Sequence, residues 1–240
     1  MKKLLLSLIC LVSLSVFAQE GEVISDPNAV TRTLSGSFTG ISVSSGIDLY
    51  LTQSGTESLA VSASDEKYMS RFKTEIVDGT LKLYYDNNGV TWTNGEKRKL
   101  KAYVSFKTLA KLQGSAGSRT EIKGEFKAGD LEMKFSSGAV FEGQVSGKTI
   151  SLDQNSGSVV KVTGVAEKLQ VEVSSGAIFK SYNLSVDYCD AKASSGGSVS
   201  ITINKELTAK ASSGGDIHYK GAALIRDVNI SSGGSVKRAS

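Results

Sequence analysis

A Ser-Ser-Gly corner, or a close variant of it, recurs along this chain at nearly fixed spacing, and that recurrence restricts the fold more than any other feature. Its glycines are Gly117, Gly138, Gly157, Gly176, Gly196, Gly214 and Gly233, separated by 21, 19, 19, 20, 18 and 19 residues. A period near nineteen residues marks one structural unit copied and stacked. Five residues before the glycine stand Leu112, Met133, Leu152, Val171, Ala191, Ala209 and Val228. Three after it stand Thr120, Phe141, Val160, Phe179, Val199, Ile217 and Val236. Position −7 is also mostly apolar, from Ala110 through Leu131, Ile150, Leu169, Cys189 and Leu207, with Arg226 the exception in the last coil. Position −4 is polar throughout: Gln113, Lys134, Asp153, Glu172, Lys192, Lys210 and Asn229. Alternation with a period of two is the signature of strands, because successive side chains leave opposite faces.

The same parity carried through the corner assigns inward positions to the residues just before and just after each glycine, and both rows are small. A bend that narrows the interior explains this, with glycine adopting backbone angles that a Cβ forbids. A single coil cannot bury its apolar rows, so coils must stack at the strand spacing of about 4.8 Å. Strand order is expected to follow chain order. The reading is all-β: a right-handed parallel β-helix, or β-solenoid, of ~19-residue coils, handed as crossovers of this type are.

Before the repeats, Ser44-Ser45-Gly46 forms an eighth corner, flanked by Ile41, Val43, Leu49 and Leu51 in the same parity. The next corner comes 71 residues later. Between them, residues 59–63 alternate as a strand, residues 64–72 allow one or two helical turns, and residues 76–85 read as a hairpin about Asp78-Gly79. A polar loop carrying Trp92 follows, then a strand at residues 100–106. This N-terminal β region is expected to cap the first coil's open edge, which would otherwise invite aggregation.

Residues 1–18 read as a signal peptide: Lys2 and Lys3, an apolar run at residues 4–17, and a small-residue cleavage pattern before Gln19. Cys10 raises a lipoprotein alternative, but bulky Ile9 precedes it and only the six residues Leu4 to Ile9 would remain as the apolar core. Cleavage leaves residues 19–240 with a formal charge of +2 in place of +4, since two lysines go, and that near-balance gives no case for nucleic acid. It also leaves Cys189 as a lone thiol, so no disulfide framework exists. One proline and 25 glycines suit long ladders with tight corners. The expected organisation is a linker at 19–30, the N-terminal β region at 31–108 and the solenoid at 109–240, with 31–240 one continuous domain. No later segment is long and apolar enough to cross a membrane.

Arg32-Thr33-Leu34, Phe38-Thr39-Gly40-Ile41, Ser45-Gly46-Ile47-Asp48 and Asp78-Gly79-Thr80-Leu81-Lys82-Leu83, followed by Ser-Gly repeats, resemble the bacterial exported proteins described as "putative auto-transporter adhesin, head GIN domain". The family's Gly-Ile-Asn motif corresponds to Gly46, Ile47 and Asp48, where the last position departs. The resemblance implies a β-helical fold at or near a bacterial cell envelope; its adhesin label is itself an analogy, and fold does not fix function.

Chemistry is sparse along the chain. The single histidine, His218, falls at an outward strand position and reads as a solvated surface residue. A triad needs a partner set, and the sequence offers neither one nor a nucleophile elbow. Cys189 lies on an inward row and reads as a buried structural thiol. Asp187, Asp190, Asp216 and Asp227 are scattered over separate coils without calcium-loop spacing. No catalytic residue, metal site or cofactor is expected. Asp153 and Glu172, one coil apart, could form a glycosidase pair, against the plainer reading of a solvated charge ladder. Ser136, Ser174, Ser194, Ser212 and Ser231, two before each glycine, would stack as a hydroxyl strip, unless those hydroxyls serve backbone groups at the corner. Trp92 with Asn94, Tyr84 and Tyr85 could stack on a sugar or plug the solenoid end.

Three functions follow as expectations. The first is a non-enzymatic envelope or surface module binding glycan or protein through a rigid repetitive surface. The second is a polysaccharide lyase or hydrolase of the β-helix type. The third is a subunit that assembles by end stacking, with Arg226 read as a charge that blunts the last coil.

Overall fold

The computed structural model describes residues 26–88 and 98–239. Seven strands form the N-terminal part: β1 (Val30–Thr31), β2 (Gly40–Val43), β3 (Asp48–Gln53), β4 (Ser58–Ser62), β5 (Phe72–Val77), β6 (Thr80–Tyr85) and β7 (Lys101–Phe106). Ten more follow: β8 (Lys111–Gly114), β9 (Arg119–Lys127), β10 (Asp130–Phe135), β11 (Val140–Gln154), β12 (Val159–Val173), β13 (Ile178–Ala193), β14 (Ser198–Ala211), β15 (Asp216–Lys220), β16 (Leu224–Ile230) and β17 (Ser235–Arg238). They form the expected β-solenoid, with two parallel faces meeting at the corners. Face one runs β6, β2, β8, β10, the second halves of β11 to β14, and β16. Face two runs β7, β3, β9, the first halves of β11 to β14, β15 and β17.

Strand order departs from chain order at the start. The β2–β3 coil is sandwiched between the later β6–β7 coil and the β8–β9 coil. The chain therefore builds its second rung first, runs outward through a cap, and returns. In the cap, β5 pairs antiparallel with β6, β4 with β7, and β1 with β4. Asp78 and Gly79 both carry positive φ, 50° and 67°, at the β5–β6 hairpin, as a two-residue turn of this hand requires. The helical stretch shrinks to one 3-10 turn, Glu66–Tyr68, capped by the Asp65 carboxylate.

The corners differ from the parity reading in one respect. The row after each glycine is buried as expected, with Ser118, Ala139, Ser158 and Ala177 at 0% exposure. The row before it (Ser137, Ser156, Ser175 and their equivalents) is exposed. These residues take φ near 50° and their glycines φ near 70°, so two successive left-handed residues swing the tip outward and reset the alternation. Each turn closes locally, as in Ala139 N–H to Ser136 O at 3.0 Å. Each corner glycine also donates its N–H to the next coil: Gly117 to Ser137 O at 2.9 Å, Gly138 to Ser156 O at 3.0 Å, and so on to Gly214 and Ser232 O at 3.2 Å. The same bond joins Gly46 to Ala116 O at 3.0 Å across the sequence gap.

Two positions show why glycine is needed. At Gly138 the left-handed backbone is the sole constraint, since a Cβ would meet nothing within 4 Å. At Gly215, just after a corner, a Cβ would lie 2.3 Å from the backbone oxygen of Ala193. Inside, the aligned aliphatic rows form one continuous core from Phe38 to Ile217.

The cap is pinned by one carboxylate. Asp26 Oδ2 accepts from Ser62 Oγ at 2.7 Å, Tyr103 OH at 2.8 Å and Lys101 Nζ at 3.3 Å, while Oδ1 accepts from Asn28 N–H at 3.1 Å. These bonds, Ser62's foremost, outweigh the opposing effect of burial and hold the carboxyl down at about 2, from an ordinary 3.8. The Tyr103 hydroxyl is pushed up, by burial first and then by Asp26.

Two predictions follow from this geometry. Gly215→Ala should cost more than about 2 kcal/mol, because backbone must move, whereas Gly138→Ala should cost about 1 kcal/mol for its backbone angle alone; thermal melts of both variants check the order. Because the folded pKa of Asp26 lies below the unfolded one, its contribution is complete above the ordinary carboxylate range and drains away as pH falls from about 4 toward about 2. Wild type should therefore melt above Asp26→Asn at pH 7, and the gap should close near pH 2.

Candidate functional site

The outer surface of face one forms an open groove of about 690 Å³. Its floor is the backbone of β10 to β13, whose alternate residues Leu131, Met133, Leu152 and Val171 turn into the core. Its walls are the outward residues between them, two per strand: Glu132 and Lys134, Ser151 and Asp153, Gln170 and Glu172, Asp190 and Lys192. Parallel register sets these side chains in two rows across the strands, Glu132–Ser151–Gln170–Asp190 and Lys134–Asp153–Glu172–Lys192. Four rungs at the strand spacing span about 14 Å.

Charges in the groove are partly paired. Lys134 Nζ contacts Glu132 Oε1 at 2.8 Å and Lys192 Nζ lies 3.7 Å from Glu172 Oε2. The Lys134–Glu132 hydrogen bond lowers the carboxyl's pKa and raises the ammonium's. Ser151 Oγ donates to Gln170 Oε1 at 3.3 Å. Asp190 Oδ1 is shielded from solvent and has no hydrogen-bond partner among the described residues. With Asp130, five carboxylates and two lysines line the groove, so it is net acidic.

Asp153 and Glu172 are indeed adjacent rungs. Both are exposed, and each has a lysine, Lys134 or Lys192, as its other neighbour in the row. A general acid of the glycosidase kind needs a sheltered apolar setting, which neither has. The arrangement can hold polar groups by hydrogen bonding and charge.

The other sequence candidates are dispersed. Ser136, Ser174, Ser194 and Ser212 stack as a half-buried row beside the corners, and Ser231 is exposed in the last coil. At two corners a buried serine after the glycine meets backbone carbonyls: the Ser158 hydroxyl shares its one proton between Asn155 O at 2.8 Å and Phe135 O at 3.0 Å, and Ser118 Oγ donates to Val43 O at 3.3 Å. Tyr84 and Tyr85, adjacent on β6, face opposite ways. Tyr85, 9% exposed, packs edge-on to Tyr68 under the Arg98 guanidinium and belongs to the cap's core. Tyr84 faces outward beside Glu75, with burial first and that carboxylate second raising its pKa. Trp92 and Asn94 lie outside the described residues. Gly46 and Ile47 shape the first corner, and Asp48 stacks between Lys101 and Arg119 with its pKa raised by burial against their attraction.

Cys189 is 5% exposed and burial pushes its thiol up to about 12, so it is chemically quiet. His218 sits on the outer side of β15. Among the described residues no group of three or more His, Cys, Asp or Glu is placed to hold a metal ion, and no helix is long and apolar enough to cross a membrane.

The family described as "Putative auto-transporter adhesin, head GIN domain" matches residues 37–223. Among solved structures, a "putative adhesin" from Bacteroides fragilis superposes with a TM-score of 0.78 at 18% identity, covering 89% of this chain and 98% of its own. A "putative adhesin" from Parabacteroides merdae gives 0.64 at 18%, covering 90% and 98%. A "putative lipid binding protein" from Parabacteroides distasonis gives 0.62 at 20%, covering 90% and 98%. At these identities the likeness shows a shared fold. No curated protein sequence matches the chain.

Proposed function

The chain belongs to the family described as "Putative auto-transporter adhesin, head GIN domain", and from that premise we propose that it is an exported, non-catalytic binding module whose face-one groove takes a hydroxyl-rich chain, a glycan. The observation that carries this reading is the groove itself: four coil rungs present carboxylate, hydroxyl, amide and ammonium groups in register on a rigid floor. Sugar hydroxyls donate to carboxylates and amide oxygens and accept from lysine and amide N–H, so each rung can pair with one stretch of the ligand.

Charge narrows the class. A net acidic lining favours neutral or amine-bearing glycans and disfavours polyanionic ones. Among the described residues no aromatic ring lines the groove, so affinity rests on hydrogen bonds that replace water, each with a small net gain. Weak single-site binding strengthened by many copies at a surface is the mode such a site supports. A β-helix polysaccharide lyase or hydrolase is the reading to beat, because Asp153 and Glu172 lie within one ligand's reach.

A glycan array with residues 19–240 tests this. Binding to neutral or amine-bearing glycans is expected, weakened about tenfold or more in Asp153→Lys, which places an ammonium where an acceptor stood. Silence across the array, or binding that Asp153→Lys leaves unchanged, would sink the assignment of the groove. Product release from polysaccharides that disappears in Asp153→Asn would replace it with the enzyme.

A further inference from the structure

The two ends of the solenoid are finished differently. At the N-terminal end the chain lays antiparallel β5, β4 and β1 over the outer coil. At the other end β16 and β17 are the last rungs among the described residues, and every residue of β16 is exposed. The inward rows continue into them: Leu207 is followed by Ile225, Ala209 by Val228, Ala211 by Ile230 and Ile217 by Val236. Leu207, Ala209 and Ala211 are at most 1% exposed, whereas Ile225, Val228 and Ile230 are 46, 37 and 50% exposed.

The sequence reading placed Arg226 on the core row, as a charge blunting this end. A bulge in the β14–β16 register overturns that: Ile225 takes the core position, and Arg226 turns out to meet Glu206 at 3.0 Å. The inward row of this rung is aliphatic, and among the described residues no tip follows Gly233 in the corner ladder.

We propose that this end closes against the same end of a second copy, forming a two-fold dimer in which both faces continue as antiparallel sheet. Only another such end offers two strand edges at the same separation with the same inward rows. The N-terminal end, covered by its cap, offers no matching rung.

The backbone specifies the register. Ser231 N–H points back to Ala211 O, and Ser235 and Ala239 N–H point back to Gly215 O and Tyr219 O. Alternation then turns the N–H and C=O groups of Val228 and Ile230 on β16, and of Val236 on β17, to the open edge. A two-fold axis through Asn229 and Val236 pairs Val228 with the partner's Ile230, and Val236 with its own copy. These two residues lie equally far from the middle of the Ser231–Gly234 corner, so one axis serves both faces. Asp227 then faces a serine, Ser231, and Lys237 faces Ser235, so no like charges are opposed. Self-complementary closure of this kind ends at two copies and sets both glycan-binding grooves on one side, although it does not depend on the groove reading.

Light scattering and cysteine capture test it. Residues 19–240 should have twice the chain mass at micromolar concentration, and Val228→Lys with Ile230→Lys should weaken association by about 100-fold or more with unchanged circular dichroism. Asn229, self-opposed at a non-hydrogen-bonded position, would have its Cα about 4.5 Å from its copy, within disulfide reach. Asn229→Cys should oxidise to a covalent dimer while Lys161→Cys, exposed in mid-stack, does not. A wild-type monomer at all concentrations, or Asn229→Cys cross-linking no better than Lys161→Cys, overturns the proposal.

Discussion

Register between successive coils rests on a hydrogen bond that a corner tip would not be expected to make. Two left-handed residues turn the chain outward, and the second, always glycine, directs its N–H along the stack to the carbonyl of the following tip. A serine or alanine before the glycine accepts the strain of positive φ because its small side chain points into solvent. With each tip tied to the next, the strands on both sides of the corner are held in step. A one-residue slip would carry every aliphatic residue to the outside, so this ladder and the buried rows enforce one another.

Much of this was legible because periodicity was legible. From the second repeat to the sixth the rows at −5, −7 and +3 became the core. In the first repeat the −7 residue Ala110 is exposed and Leu109 is buried in its place, and in the last Val228 is exposed. The polar row at −4 became one wall of the groove. Three things were not. Parity does not pass through paired left-handed residues, so Ser137 and its equivalents moved from the interior to the tip. The bulge that expels Arg226 in favour of Ile225 has no signature in a row defined by counting back from Gly233. Nor does the sequence announce that β2–β3 is the second rung, since the contact between Gly46 and Ala116 spans seventy residues.

The candidate site was half visible. Asp153 and Glu172 stand out in the sequence as neighbouring carboxylates, but the row six before the glycine, with Glu132, Ser151, Gln170 and Asp190, has no common chemistry to mark it. What makes the two rows a site is the groove of face one, where the parallel register sets them side by side across four rungs. The aromatic candidates, by contrast, were judged by residue type: Tyr85 is consumed by the cap's core. A repetitive polar surface on an apolar stack suits a binding module, since it keeps ligand groups in place without any moving part.

Amide hydrogen exchange at the corners tests the ladder most directly. The tips are exposed, so unbonded glycine amides there would exchange as fast as those of a loop. The account predicts that Gly138, Gly157, Gly176 and Gly196 exchange as slowly as the flanking strands, while Gly233, whose N–H meets no following tip among the described residues, exchanges far faster. Uniformly rapid exchange at all five would contradict it.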